Sequence, residues 1–146
     1  MSEIKLQSDM VRKISELYPH LRGQIFHVPN QRNHELQAIR ARAEGIFPGV
    51  ADLLYFKEMT AHGFQIENCC KLIALEVKEP NSTHKLDHVI QQAEWGQILE
   101  NNGGKYVIVQ TVEQSIEVIN ENYENVIDLR TLWKVIKNCK SKTIMF

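Results

Sequence analysis

The fold is decided by two stretches, Pro48-Gly49-Val50-Ala51-Asp52-Leu53-Leu54 and Leu72-Ile73-Ala74-Leu75-Glu76-Val77-Lys78. Both are strand-like apolar runs that carry very few charged residues. Side chains alternate between the two faces of a strand, so Glu76 and Lys78 project side by side at the end of the second run. A carboxylate and an amine in such surroundings carry a desolvation cost unless they pair or bind something. Asp52, in the first run, is a charged residue in equally apolar surroundings and carries the same cost.

A cation bound by both carboxylates would offset this desolvation cost. If the two strands pair, Asp52 and Glu76 converge, and hard divalent cations such as Mg²⁺ prefer oxygen ligands of this kind. Lys78 would then orient a water molecule or stabilise charge developing on a phosphate. The alternative is purely structural: an aspartate at a strand start and a Glu–Lys ion pair at a strand end.

The rest of the chain predicts helices on both sides of these strands. Apolar spacing indicates helices over 3–18, 33–44, 86–99, 113–123 and 129–138, with a further strand over 106–110. Residues 20–32 are predicted as a connector and residues 57–70 as a hairpin loop. The resulting fold class is α/β, a mixed sheet with helices on its faces.

Glu3 lies on the core-facing side of the first helix, in the arc shared with Gln7 and Met10. An acid in that position is unexpected. It is either a further carboxylate of the cation site or a charge that favours the positive end of the helix.

The composition fits one domain over residues 1–146, with a net charge of −1 that gives no overall preference for nucleic acid. The charge is unevenly distributed, because residues 129–146, a basic C-terminal extension, hold no acid and residues 111–128 hold no Lys or Arg. No apolar run reaches about 18 residues and no secretory signal is visible, so we expect no membrane span and a cytoplasmic protein. Cys69 and Cys70 lack a second pair at zinc-binding spacing, which leaves structural zinc as a minor alternative to idle thiols.

Taken together, these motifs resemble the PD-(D/E)XK nuclease superfamily, and within it the VRR-NUC branch. The G-V-x-D-L and E-x-K strands are followed by Gln92 and Trp95, by the break at Gly103-Gly104 and by an apolar strand. The E-x-x-x-Q pattern of the first helix and the stretch 27–30 also match. The resemblance covers residues 3–123 and departs at Ala51, where the superfamily motif has proline.

The resemblance implies a restriction-endonuclease-like fold and a Mg²⁺- or Mn²⁺-dependent endodeoxyribonuclease. It implies Asp52, Glu76 and the Val77 carbonyl as metal ligands, Lys78 as the catalytic lysine, and Gln92 and Glu3 as supporting residues. It also implies a homodimer that cuts branched DNA, above all four-way (Holliday) junctions, because a two-fold dimer presents two equal sites to two equal strands. The candidate phosphate contacts are the basic residues Arg32, Arg40, Arg42, Lys134, Lys137 and Lys140.

Three other functions stay open at this point. The first is a nuclease that acts on flaps, overhangs or restriction-like sites. The second is a non-catalytic DNA-binding module with the same fold. The third is an unrelated α/β binding protein in which the motifs are accidental, Gln92 is an ordinary helical glutamine, and the basic residues are ordinary surface charge.

Overall fold

The computed structural model describes residues 2–29, 39, 44, 45, 47–61 and 64–146. The helix predicted over 33–44 lies outside this part of the chain, apart from isolated positions. The described elements, in chain order, are α1 (Glu3–Leu17), a 3-10 turn (Pro19–Leu21), β1 (Ile25–His27), β2 (Leu53–Ala61), β3 (Phe64–Val77), β4 (Thr83–Lys85), α2 (Leu86–Asn101), β5 (Lys105–Val109), α3 (Val112–Ile119), β6 (Ile127–Asp128), α4 (Leu129–Asn138) and β7 (Thr143–Met145).

The main sheet is mixed and has the strand order β1-β2-β3-β5-β6. β2 and β3 form a long antiparallel hairpin, in which Leu53 is opposite Leu75. β3 and β5 run parallel, with Glu76 opposite Ile108, and α2 makes the crossover between them. A second, two-stranded sheet joins β4 to β7. The predicted mixed α/β class is therefore confirmed.

Each face of the main sheet buries its own core. On one face Ile73, Leu75 and Val77 pack against α1 and α3. On the other, Ala74 and Tyr106 pack against α2 and α4. This is the alternation predicted for β3, and it places Glu76 and Lys78 on the α2 side.

Local sequence explains the helix boundaries. Oγ of Ser2 accepts a hydrogen bond from the amide of Lys5 at 3.1 Å and caps α1, and Pro19 follows its last turn. Asp128 caps α4 in the same way, since its Oδ1 accepts from the amide of Thr131 at 2.8 Å. Among the described residues, no helix combines the length and the apolar character needed to cross a bilayer.

Three predictions need correction. The stretch 57–70 is largely strand, because β2 and β3 pair well beyond the apolar runs. The connector 20–32 contains β1, a short edge strand that pairs with β2 through backbone hydrogen bonds. Residues 129–146 are no appended extension, since Leu129, Leu132 and Ile144 are buried in the core on the α2 side.

Candidate active site

A cleft of about 240 Å³ opens at the end of β3. It lies where α1, β2, β3 and α2 meet, and it brings together all five side chains predicted to be catalytic: Glu3, Asp52, Glu76, Lys78 and Gln92. Val77, the predicted backbone ligand, is the last residue of β3. Three histidines, His27, His84 and His88, also line this cleft.

A tight turn delivers Asp52 to the cleft. Gly49 has φ +86°, and a Cβ built on it would lie 2.5 Å from the carbonyl oxygen of Gln91 on α2. Only glycine tolerates both the conformation and the contact. Beyond the turn, Oδ2 of Asp52 accepts a hydrogen bond from the amide of Val77 at 2.8 Å. This bond ties the Asp52 carboxylate to the end of β3 and leaves Oδ1 as its remaining oxygen.

The Asp52 backbone anchors the edge of the sheet as well. Its carbonyl oxygen accepts from the amide of Val28 at 3.1 Å and lies 2.8 Å from Nδ1 of His27. His27 therefore lines the cleft while its ring contacts the backbone of Asp52, the residue whose carboxylate is a predicted metal ligand.

Glu76 and Lys78 are almost fully enclosed, with only 2% and 3% of their surface exposed. Oε1 of Glu76 lies 3.3 Å from Nζ of Lys78 and accepts a hydrogen bond from Nε2 of Gln92 at 2.8 Å. Its second oxygen, Oε2, is buried and has no hydrogen-bond partner among the residues that the structure describes. A buried carboxylate oxygen without a partner is costly, so this atom is an open position for a ligand.

Burial raises the pKa of Glu76 well above its usual value, and the negative charge of Asp52 raises it further, while Lys78 opposes both effects. Two carboxylates this close repel each other when both are ionised. A divalent cation removes that repulsion and supplies a partner for Oε2. The donor set therefore suits Mg²⁺ or Mn²⁺, which bind through one or two carboxylates and complete their shell with water.

Within the described residues, no group of three or more His, Cys, Asp or Glu side chains is arranged to hold a metal ion. The predicted site does not need such a group, because it uses two carboxylates and one backbone carbonyl. The structural-zinc alternative, in contrast, gains no support: Cys70 is an exposed free thiol, while His84 and His88 face the cleft.

His84 is held as a neutral hydrogen-bond donor. The hydroxyl of Ser82 donates to the carbonyl of Glu79 at 2.6 Å, so its Oγ accepts from Nε2 of His84 at 2.8 Å. The same nitrogen lies 3.2 Å from Oε2 of Glu3. Burial, together with the positive charge of Lys78, lowers the pKa of His84 to about 4. At neutral pH the ring is therefore uncharged, its Nε2 hydrogen is directed to Ser82, and the contact with Glu3 is not an ion pair.

Two further ionisable groups of the cleft, Glu3 and His88, respond to the same neighbours. Burial raises the pKa of Glu3, and Asp52 adds to that shift while Lys78 opposes it. Burial lowers the pKa of His88, and the charges of Lys78 and Lys85 lower it further. Glu3 thus belongs electrostatically to the cleft, while it also lies in the first turn of α1.

The charged surfaces lie on opposite faces of the sheet. Lys134 and Lys137 are exposed on α4, and the exposed Lys140 follows that helix. The acidic stretch 111–128 runs through α3, which packs with α1 on the other face. Arg32, Arg40 and Arg42 fall outside the described residues.

Sequence reasoning missed two parts of the site. His84 and His88 line the cleft, although the sequence analysis assigns them no role there. Phe146 was not considered, yet its ring centroid lies 5.9 Å from Nζ of Lys78 and 5.6 Å from the ring of His84. No local sequence pattern predicts that a histidine or phenylalanine will contact a residue far away in the chain.

Comparison of the chain with models of protein families, with curated proteins and with solved structures yields no match.

Proposed function

We propose that this protein is a metal-dependent, structure-selective DNA endonuclease with a restriction-endonuclease-like core, and that four-way junctions are its preferred substrate. One observation carries the proposal. Within the part of the chain that the structure describes, the buried oxygen Oε2 of Glu76 has no hydrogen-bond partner, and its cleft also holds Asp52 and Lys78. The order of motifs shared with the VRR-NUC branch supports the same reading.

Asp52, Glu76 and the carbonyl of Val77 would hold the metal. When bound, Mg²⁺ or Mn²⁺ makes a phosphodiester more electrophilic and water a better nucleophile. Gln92 fixes the rotamer of Glu76 through its 2.8 Å hydrogen bond, which leaves Oε2 for the ligand. Outer hydrogen bonds of this kind orient carboxylate ligands and tune their affinity.

Lys78 would act on the phosphate. Its amine sits beside Glu76 in a nearly enclosed position, where electrostatic interactions are stronger than in water. There it stabilises the negative charge that develops on the phosphate as water adds and the P–O bond breaks. Glu3 closes the acidic side of the cleft and is itself held by His84.

The proposal of a junction substrate rests on the two-fold symmetry of a homodimer and on the positive charge of α4. One cleft cuts one strand, so paired cuts at a symmetric junction need a homodimer with two equal sites. The exposed lysines of α4 would contact phosphates, which fixes the position of the DNA without reading bases. The acidic α3 face would turn away from it.

The test is a cleavage assay on a four-way junction, a flap and a plain duplex of matched sequence, with Mg²⁺, Mn²⁺ or EDTA. We expect metal-dependent paired nicks in the junction and little cutting of the duplex. Asp52→Ala and Glu76→Ala should each abolish cleavage while circular dichroism shows a folded protein. If either variant keeps near-normal turnover at saturating metal, the site assignment is wrong.

The same preparation separates the alternatives. Light scattering at micromolar concentration should give the mass of a dimer. A clean monomer that prefers flaps would indicate a flap or overhang nuclease instead. Tight junction binding without cleavage by any metal would indicate a non-catalytic DNA-binding module.

A further inference from the structure

The segment 139–146, which we call the strap, returns from α4 to the cleft. Ile144 is buried in the core, and β7 pairs with β4 with Ile144 opposite His84. The amide of Phe146 donates to the carbonyl of Ser82 at 2.9 Å. Its carbonyl oxygen accepts from the amide of Asn81 and from Nε2 of Gln110, both at 3.1 Å. These contacts hold the main chain of Phe146 and do not depend on its side chain, so they remain available when the side chain is replaced.

The ring meets two groups of the cleft. Its centroid lies 5.9 Å from Nζ of Lys78, within the range of a cation–π contact. It also lies 5.6 Å from the ring of His84 in an edge-to-face arrangement. The Lys78 amine thus has two neighbours in the cleft, Oε1 of Glu76 at 3.3 Å and the face of the Phe146 ring. Two contacts restrict a flexible four-carbon side chain more than one contact does.

We propose that Phe146 is a positioning residue that holds the Lys78 amine at the cleft through the face of its ring. This inference rests on the proposed nuclease function for its catalytic consequence, although the contact itself does not. It gives the strap a role that the motifs of residues 3–123 do not supply. It also means that the site draws on almost the entire length of the sequence.

A ring that merely fills space would be replaceable by another apolar side chain. The proposal instead requires the negative face of the aromatic ring. Three variants of the full chain separate the two cases. Phe146→Leu keeps an apolar side chain without a ring, and Phe146→Trp gives a ring face with a more negative potential. Pentafluorophenylalanine at position 146 keeps the shape of the ring but reverses its charge distribution.

The first measurement needs no cleavage. In wild-type protein with selectively labelled lysine, the Hε protons of Lys78 should show an upfield ring-current shift, which Phe146→Leu should remove. The acylation rate of Lys78 by a small amine-reactive reagent should rise in Phe146→Leu and in the fluorinated protein. An unshifted Lys78 signal in the wild type would overturn the inference, whatever the protein's activity.

The second measurement is cleavage. We expect kcat to fall by about threefold to tenfold in Phe146→Leu and in the fluorinated protein, with KM unchanged and Phe146→Trp close to wild type. Equal kcat across the three variants would overturn the catalytic consequence and leave a packing residue. If the wild type never cleaves DNA but the ring-current shift is present, the nuclease proposal fails while the Lys78 contact stands.

Discussion

Nε2 of Gln92 donates a 2.8 Å hydrogen bond to Oε1 of Glu76, and thereby joins the crossover helix α2 to the central strand β3 inside the cleft. Gln92 is itself only 7% exposed. A buried amide that orients a buried carboxylate serves the site directly, since removing it frees the rotamer of Glu76. A glutamine that the sequence of α2 does not distinguish from other helical glutamines therefore contacts a proposed metal ligand.

Replacement of Gln92 by alanine should therefore weaken metal binding by about 10- to 100-fold, because the ligand loses its orienting partner. Isothermal titration with Mn²⁺ measures this directly. Gln91→Ala is the matched control, since Gln91 is exposed on the same helix. Equal affinities in both variants would remove Gln92 from the site.

Asp52→Asn should stabilise the metal-free protein while it abolishes metal-dependent cleavage. The amide oxygen can still accept from Val77, but the negative charge that repels Glu76 is gone. We expect a gain of about 1 kcal/mol in the free energy of unfolding at pH values where both carboxylates of the wild type are ionised, seen as a higher melting temperature.

The pH dependence of that gain has a defined sign. The folded-state pKa of Glu76 is raised, so its ionised form destabilises the protein at high pH, and that penalty disappears as the pH falls through the raised pKa. The difference in melting temperature between Asp52→Asn and wild type should therefore shrink on acidification. A difference that grows as the pH falls would contradict the assigned repulsion.

Lys78→Ala should separate binding from chemistry. Turnover should fall by about 100-fold or more, since the amine is proposed to stabilise the charge that develops on the phosphate, whereas Mn²⁺ affinity should survive. Lys85→Ala, at an exposed lysine of the same cleft, should leave turnover nearly unchanged. Loss of metal binding in a folded Lys78→Ala protein would show that the lysine serves only as a structural partner of Glu76.

The paired substitution Lys134→Ala with Lys137→Ala should weaken DNA binding and flatten its salt dependence. Each lost phosphate contact reduces the slope of log K against log salt by about 0.9. Arg12→Ala with Lys13→Ala on α1, which packs on the opposite face of the sheet, provides the charge-matched control. An equal effect of both pairs on junction affinity would argue against α4 as the DNA-facing surface.

Gly49→Ala should destabilise the protein far more than Gly23→Ala. Both glycines have positive φ, +86° and +87°. A Cβ on Gly49 meets the backbone of α2 at 2.5 Å, whereas no atom of the described residues lies within 4 Å of a Cβ on Gly23. We expect losses of about 1 kcal/mol for Gly23→Ala and about 3 kcal/mol or more for Gly49→Ala in urea unfolding. Equal losses would mean that the turn can move away from α2.

The sequence predicted the parts of the site that local patterns encode. Alternation along β3 placed Glu76 and Lys78 on one face, whereas only an assumed pairing of the two apolar strands brought Asp52 towards Glu76. Helical spacing located α1, α2 and α4 within a residue or two. These are short-range consequences of strand and helix geometry, and they hold whatever the rest of the chain does.

Contacts between distant segments escaped prediction. β1, β4 and β7 are three-residue strands whose pairing partners lie far along the chain, so no periodicity marks them. The hairpin of β2 and β3 extends through polar residues such as Lys57 and Glu58, which resemble a loop in sequence. The contact of Phe146 with Lys78 joins positions 68 residues apart (146 − 78).

The small sheet that carries the strap has a consequence for the protein's native-state fluctuations. β4 and β7 pair over only three residues each, whereas β3 lies at the centre of the main sheet. Short peripheral pairings open locally, while central strands exchange their amide protons only when the whole domain unfolds. Hydrogen exchange should therefore be fast in 143–146 and slow in 73–77. The carboxylates would then stay assembled during excursions in which the aromatic cover over Lys78 is briefly withdrawn.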